Sequence, residues 1–170
     1  MPARSDREKP VMENTRRAKV TMPSEREIVI ERVFDAPRTL VFEAWTNAEH
    51  VSHWWDPSGT PLAVCEIDLR PNGAFRFVNG GPDGAKYPFT GFYREISPPA
   101  RLVFGSTPSP VSNGESMTTL VFSEHDGKTT LTITIQCQSR TERDALLQMR
   151  VDVGTTQTLD NLDEYLRAIR

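Results

Sequence analysis

Apolar and polar residues alternate in short runs between Glu27 and Gln138, and from Thr141 to Arg170 the period lengthens to that of a helix. In this last stretch Leu159, Leu162, Leu166 and Ile169 recur three and four residues apart, with charges between them and no proline. At about 100° per residue, Leu146, Met149 and Val153 point nearly opposite to that stripe. The change falls at Gly154 and the polar run Thr155, Thr156, Gln157 and Thr158. Two compatible readings follow. The helix bends or breaks at Gly154 so that both halves pack, or sheet and helix part company near Gly154–Thr158 and leave a cavity.

The first predicted strand is Glu27 to Phe34. Ile28, Ile30 and Phe34 share one face, which Arg32 interrupts, and Val29 and Val33 occupy the other. Apolar residues on both faces predict burial on both sides or a homodimer contact, and Met117–Val121 has the same character. Pro37 suits the first turn of a helix whose apolar face is Leu40, Val41, Ala44 and Trp45. Thr46 and Glu49 have capping-box spacing for a second short helix, with Val51, Trp54 and Trp55 as its apolar side. Strand-like segments follow at Leu62–Leu69, Ala74–Val78, Lys86–Ile96, Arg101–Phe104, Met117–Phe122 and Thr129–Gln136. They are separated by turn signals such as Pro71-Asn72-Gly73, Ser97-Pro98-Pro99 and His125-Asp126-Gly127. Gly91 falls mid-strand, where a bend or a close approach is usual. The predicted class is α+β: a curved antiparallel sheet of about seven strands around one long C-terminal helix, with two short helices after the first strand.

A chain of 170 residues fits one domain, expected over 26–170. Residues 1–25 are expected to be a disordered tail, broken by Pro2, Pro10 and Pro23 and poor in large apolar residues. The net charge of -3 is spread along the chain, and no basic stripe points to nucleic acid. No apolar run approaches a membrane span, and the N-terminus lacks the apolar core of a signal peptide. Cys65 and Cys137 lie far apart inside predicted strands, so they are expected as buried reduced thiols of a cytoplasmic protein. Neither has a second cysteine at metal-ligand spacing.

An ordered set of segments narrows the fold. Arg32-Val33-Phe34-Asp35-Ala36-Pro37 leads into Val41-Phe42-Glu43-Ala44-Trp45-Thr46 and Trp54-Trp55. Asp68-Leu69-Arg70-Pro71-Asn72-Gly73-Ala74-Phe75-Arg76-Phe77 follows, then the run from Gly91 to Phe104. In order and spacing these resemble homologues of the activator of heat-shock-protein-90 ATPase, within the SRPBCC (START-like, helix-grip) superfamily. The resemblance covers about Glu27 to the C-terminus. It implies a helix-grip fold with a cavity between sheet and long helix, and a family whose members include ligand-binding and sequestering proteins; no cofactor is expected. The family name also implies a chaperone partner and a stress-response role. Family members usually carry Gly-Trp in the last helix, whereas here Gly154 precedes Thr155, so a bulky helix residue is missing and cavity size or shape is expected to differ.

Candidate chemistry is sparse. Trp54 and Trp55 point about 100° apart on a helix, so one can close the core while the other lines a cavity mouth. Phe75, Phe77, Tyr87, Phe89, Tyr93 and Phe104 form an aromatic set on neighbouring strands. With Met149 and Val153, they either line a cavity for an apolar or aromatic ligand or fill the core. Thr155, Thr156 and Gln157 are candidate polar anchors. His50, His53 and Asp56 have loose metal-ligand spacing but no fourth ligand, so no metal site is expected and a polar helix face is the preferred account. Glu66 and Asp68 share a strand face, which reads as solvent-facing, and Asp68 has Arg70 or Arg32 as a candidate partner. His125 sits in a turn, and no nucleophile elbow or phosphate loop is present. The sequence therefore favours binding or sequestration of a small hydrophobic molecule. A chaperone-cofactor role and a cyclase- or hydrolase-like enzyme remain as alternatives.

Overall fold

The computed structural model describes residues 18–81, 88–106 and 116–169. Its strands are β1 (Lys19–Thr21), β2 (Glu27–Phe34), β3 (Val64–Ile67), β4 (Ala74–Val78), β5 (Phe89–Ser97), β6 (Arg101–Ser106), β7 (Ser116–His125) and β8 (Lys128–Gln136). Helices α1 (Arg38–Thr46) and α2 (Ala48–Trp54) follow β2, and α3 (Arg140–Gln148) and α4 (Val151–Ile169) close the chain. The strands form one 8-stranded sheet in the order β1-β2-β8-β7-β6-β5-β4-β3. Every pairing is antiparallel.

Alternation along the strands decides which face is covered. On β2, Ile28, Ile30, Arg32 and Phe34 are buried while Val29 and Val33 are only half-covered. On β7 and β8, Leu120, Phe122, Leu131 and Ile133 are buried, and Val121, Thr132 and Thr134 face the other way. The buried face meets Leu159, Leu162 and Leu166 of α4 and the apolar sides of α1 and α2. This is the helix-grip architecture, with one strand more than the pattern predicts. The addition is β1, which pairs with β2 through Val20↔Ile30 and lies within the segment expected to be tail. A three-residue strand with a single large apolar residue gives no periodic signal.

Local chemistry sets the boundaries. Asn47, rather than Thr46, caps α2, its side chain accepting from the Glu49 N–H at 3.0 Å. The Thr46 hydroxyl instead donates back to the Phe42 carbonyl at 2.9 Å. Asp126 and Gly127 take φ of 52° and 76°, the left-handed pair that a two-residue hairpin needs between β7 and β8. A Cβ on Gly91 would lie 2.1 Å from the Gly105 carbonyl oxygen and 2.6 Å from the Phe75 ring, so this strand glycine marks a close approach.

The C-terminal helix is not one piece. Ser139 caps α3 by accepting from the Glu142 N–H at 3.1 Å. The chain then turns at Arg150, whose φ of 61° ends α3. Gly154 lies inside α4, and its N–H donates to the Arg150 carbonyl at 2.9 Å. The break expected at Gly154 therefore sits four residues earlier. It still reconciles the two apolar faces, because Leu146 of α3 and Leu159 of α4 are both buried. Met149 and Val153, grouped with Leu146 by periodicity, are about half exposed (52% and 54%).

Candidate functional site

The inner sheet face and the α3–α4 pair flank a partly open cavity of about 480 Å³. Strands β5 to β8 supply Phe89, Phe104, Ser106, Ser116, Thr118, Ile133 and Ile135. Trp45, Trp55, Pro57 and Asn79 form one end, and Leu146, Met149, Arg150, Val151, Gly154, Thr155, Thr158 and Leu159 form the helical wall. Gly154 adds no side chain to this wall, and a Cβ built on it meets no heavy atom within 4 Å.

The cavity edge is tied together by hydrogen bonds. The Thr158 hydroxyl lies 2.9 Å from the Gly154 carbonyl oxygen and 3.1 Å from that of Trp55, and Asn161 Nδ2 donates to the Asp56 carbonyl at 2.9 Å. These contacts hold the end of α2 against α4. Ser116 donates to Glu142 Oε1 at 2.7 Å, which links β7 to α3. Deeper in the fold, Arg32 is 5% exposed and pairs with Asp160 and, at 3.7 Å, with Asp163, binding β2 to α4. Of the two partners sought for Asp68, the structure gives Arg70, at 2.9 Å.

The predicted site residues divide. Trp55, Phe89, Phe104 and Met149 stand on the cavity wall. Trp54 does not: it is fully buried, and its indole N–H donates to the Ala44 carbonyl at 3.1 Å. Phe75, Phe77 and Tyr93 are also core residues. The Phe75 ring stacks on Phe77 and meets Tyr93 at a tilt, each 5.2 Å away centre to centre, beside a void of only about 10 Å³, about the least that admits one water. Burial, with a smaller contribution from Cys65, pushes the Tyr93 phenol above its ordinary range, so it stays protonated. Val153 points to solvent, Gln157 is exposed, and the Thr156 hydroxyl is spent on the Asp152 carbonyl at 2.8 Å. Of the three polar anchors expected, only Thr155 lines the cavity. Tyr87 lies outside the described residues. Trp45, Thr118, Ile133, Ile135, Leu146 and Arg150 line the cavity without having been singled out by sequence.

Among the described residues the wall carries no histidine, carboxylate, cysteine or tyrosine. Its one charged side chain is Arg150, and the Trp45 indole N–H is buried with no acceptor. His50 and His53 converge on Tyr165 instead: His50 Nδ1 hydrogen-bonds its hydroxyl, and the His53 ring stacks on it at 5.5 Å. Asp56 accepts from the Ser58 N–H at 3.0 Å, and no group of three metal-ligating side chains is found among the described residues. Glu66 and Asp68 are exposed, as is His125, beside Asp126 at 3.3 Å. A second hollow, about 690 Å³, mixes Glu66 with Arg76 and Arg94 beside exposed Phe92, and no helical residue is among the described residues that line it.

Comparison with known proteins agrees with the architecture. A Rhodobacter sphaeroides protein of known structure superposes with a TM-score of 0.80 at 24% identity, covering 90% of this chain and 99% of its own. Ms6760 of Mycobacterium smegmatis gives 0.75 at 26% identity, covering 89% and 100%. CalU16 of Micromonospora echinospora gives 0.61 at 22%, covering 87% and 82%. The first and third are likenesses of fold. No curated protein sequence matches the chain. The family model described as Activator of Hsp90 ATPase homolog 1-like protein matches residues 35–167, from the end of β2 through nearly all of α4, and the chain belongs to that family.

Proposed function

We propose that this protein binds a small, largely apolar molecule between its sheet and its C-terminal helices. The observation that carries the reading is the cavity of about 480 Å³. It falls within the roughly 300–1,000 Å³ usual for small-ligand sites. Trp45, Trp55, Phe89, Phe104 and Ile133 offer shape and apolar area, and Thr118 and Thr155 offer polar contacts. No helix among the described residues is long and apolar enough to cross a membrane. A cytoplasmic carrier or sequestering protein accords with these features.

The test is a titration with phenylnaphthylamine, a neutral probe that fluoresces when it leaves water. The wild type is expected to show one saturable site. Thr155→Trp places an indole in the cavity from a position already on its wall. It should abolish that site without lowering the denaturation midpoint. Equal probe affinity in both proteins would refute the assignment.

The family description favours a second reading, a cofactor that stimulates a chaperone ATPase. It predicts that the chaperone co-purifies and that its ATP turnover rises on addition of this protein. No co-purification and no rise would dismiss it.

A further inference from the structure

We propose that the ligand is an anion, an apolar body with one carboxylate, sulfonate or similar group, and that Arg150 at the cavity wall selects it. The inference rests on the cavity being the binding site. Its first ground is the charge inventory. Among the described residues Arg150 is the one charged side chain lining the cavity, and it makes no ion pair with any described carboxylate within 4.0 Å. Among the described residues no carboxylate lines the cavity to pair with a ligand cation, and Glu142, which holds the lining Ser116 at 2.7 Å, also accepts from the Gln138 N–H at 2.9 Å. The Trp45 indole N–H is buried on the same wall with no acceptor. A guanidinium is the side chain best matched to an oxyanion, because its planar fork donates two parallel hydrogen bonds.

The second ground is the backbone. Arg150 has φ of 61°, a conformation that costs most residues energy and that glycine adopts freely. The position after a helix ends is the usual place for such a glycine. An arginine held there costs conformational energy and supplies a cation at the cavity rim. Arg150 is solvent-exposed, so the contact lies at the rim and is not fully enclosed.

Two probes that share an aromatic body separate the charge from the cavity. Anilinonaphthalene sulfonate carries the anion and phenylnaphthylamine does not, and each should displace the other from the wild type. Arg150→Gln should weaken the sulfonate roughly ten-fold, as expected for a hydrogen bond to a charged group, and leave the neutral probe unchanged. Arg150→Lys should retain part of the preference. Arg150→Gly relieves the backbone, so it should keep or raise the denaturation midpoint while losing the sulfonate preference as Gln does. If the neutral probe binds and the sulfonate gains nothing from Arg150, the anion assignment is overturned and the cavity assignment stands. If neither probe binds the wild type, both are overturned.

Discussion

A glycine in the first turns of a 19-residue helix calls for an explanation, because helices favour almost any other residue there. Replacing it with alanine removes about 1 kcal/mol of intrinsic helix penalty, chiefly by restricting the unfolded chain. Whether that gain survives depends on what the new methyl meets, and at Gly154 it meets nothing within 4 Å. The prediction for Gly154→Ala is therefore a stabilisation of roughly 0.5–1 kcal/mol, or a rise in Tm of about 1–4 °C. Gly154→Leu extends further into the cavity. It should add apolar burial worth up to roughly 1.5–3 kcal/mol while removing the space a ligand would use. Urea denaturation of the ligand-free variants measures the first effect, and phenylnaphthylamine titration the second. On this reasoning the glycine is retained for space at the cost of stability. A destabilised Gly154→Ala would show that the space is not open. A stabilised Gly154→Leu with unaltered probe affinity would show that the cavity is not where the probe sits.

Other consequences follow from the same packing. Phe89→Ala should weaken probe binding, whereas Tyr93→Ala should leave a hole in the filled core, cost roughly 3–5 kcal/mol in urea and spare the probe in the folded fraction. Reversed effects would mean that the two sides of the aromatic cluster have been misassigned. Arg32→Ala should cost roughly 1–3 kcal/mol, less than a sealed ion pair, because Asp160 is half exposed and can be rehydrated. Arg32→Met, which keeps the volume, should cost much less, and equal losses would show that charge rather than packing dominates there. Burial is the main force pushing the Cys65 and Cys137 thiols from 9.0 up to about 11, so between those values the unfolded chain releases protons that the folded chain keeps. Stability contributed by the neutral thiols is thus complete below pH 9.0 and falls as pH rises toward about 11. Denaturation midpoints of the wild type and a Cys65→Ala, Cys137→Ala double variant should diverge across that window, and parallel curves would contradict the assignment.

The fold was largely legible because its signals are local. Period-two alternation marked β2, β7 and β8, Asp126-Gly127 marked a hairpin, and Leu159, Leu162 and Leu166 marked the helical face that the sheet covers. The break in that helix was legible as a fact but not as a place. Periodicity showed two faces and a glycine near their junction, yet the turn is made by Arg150, a residue that does not signal a left-handed backbone. The cavity was harder to read. Ile133, Ile135, Leu146 and Leu159 look like any core residue in sequence, and only the distance between sheet and helix decides whether they meet each other or a space. The aromatic strand face divides for the same reason: Phe75, Phe77 and Tyr93 stay in the core, while Phe89 and Phe104, which pack against Phe75, also reach the opening. Arg32 stood out as a charge in an inward register. Its partner Asp160 lies 128 residues away, and no spacing rule reaches that far.

The central claim is that the space between sheet and helices is occupied in the cell. Native mass spectrometry of the protein purified from its own host tests this most directly, followed by denaturation and identification of whatever small molecule is released. The account predicts a mass excess equal to one apolar, acidic compound per chain, lost on denaturation and absent from Gly154→Leu. A bare chain mass, together with no competition between that host's small-molecule extract and the bound probe, would contradict it.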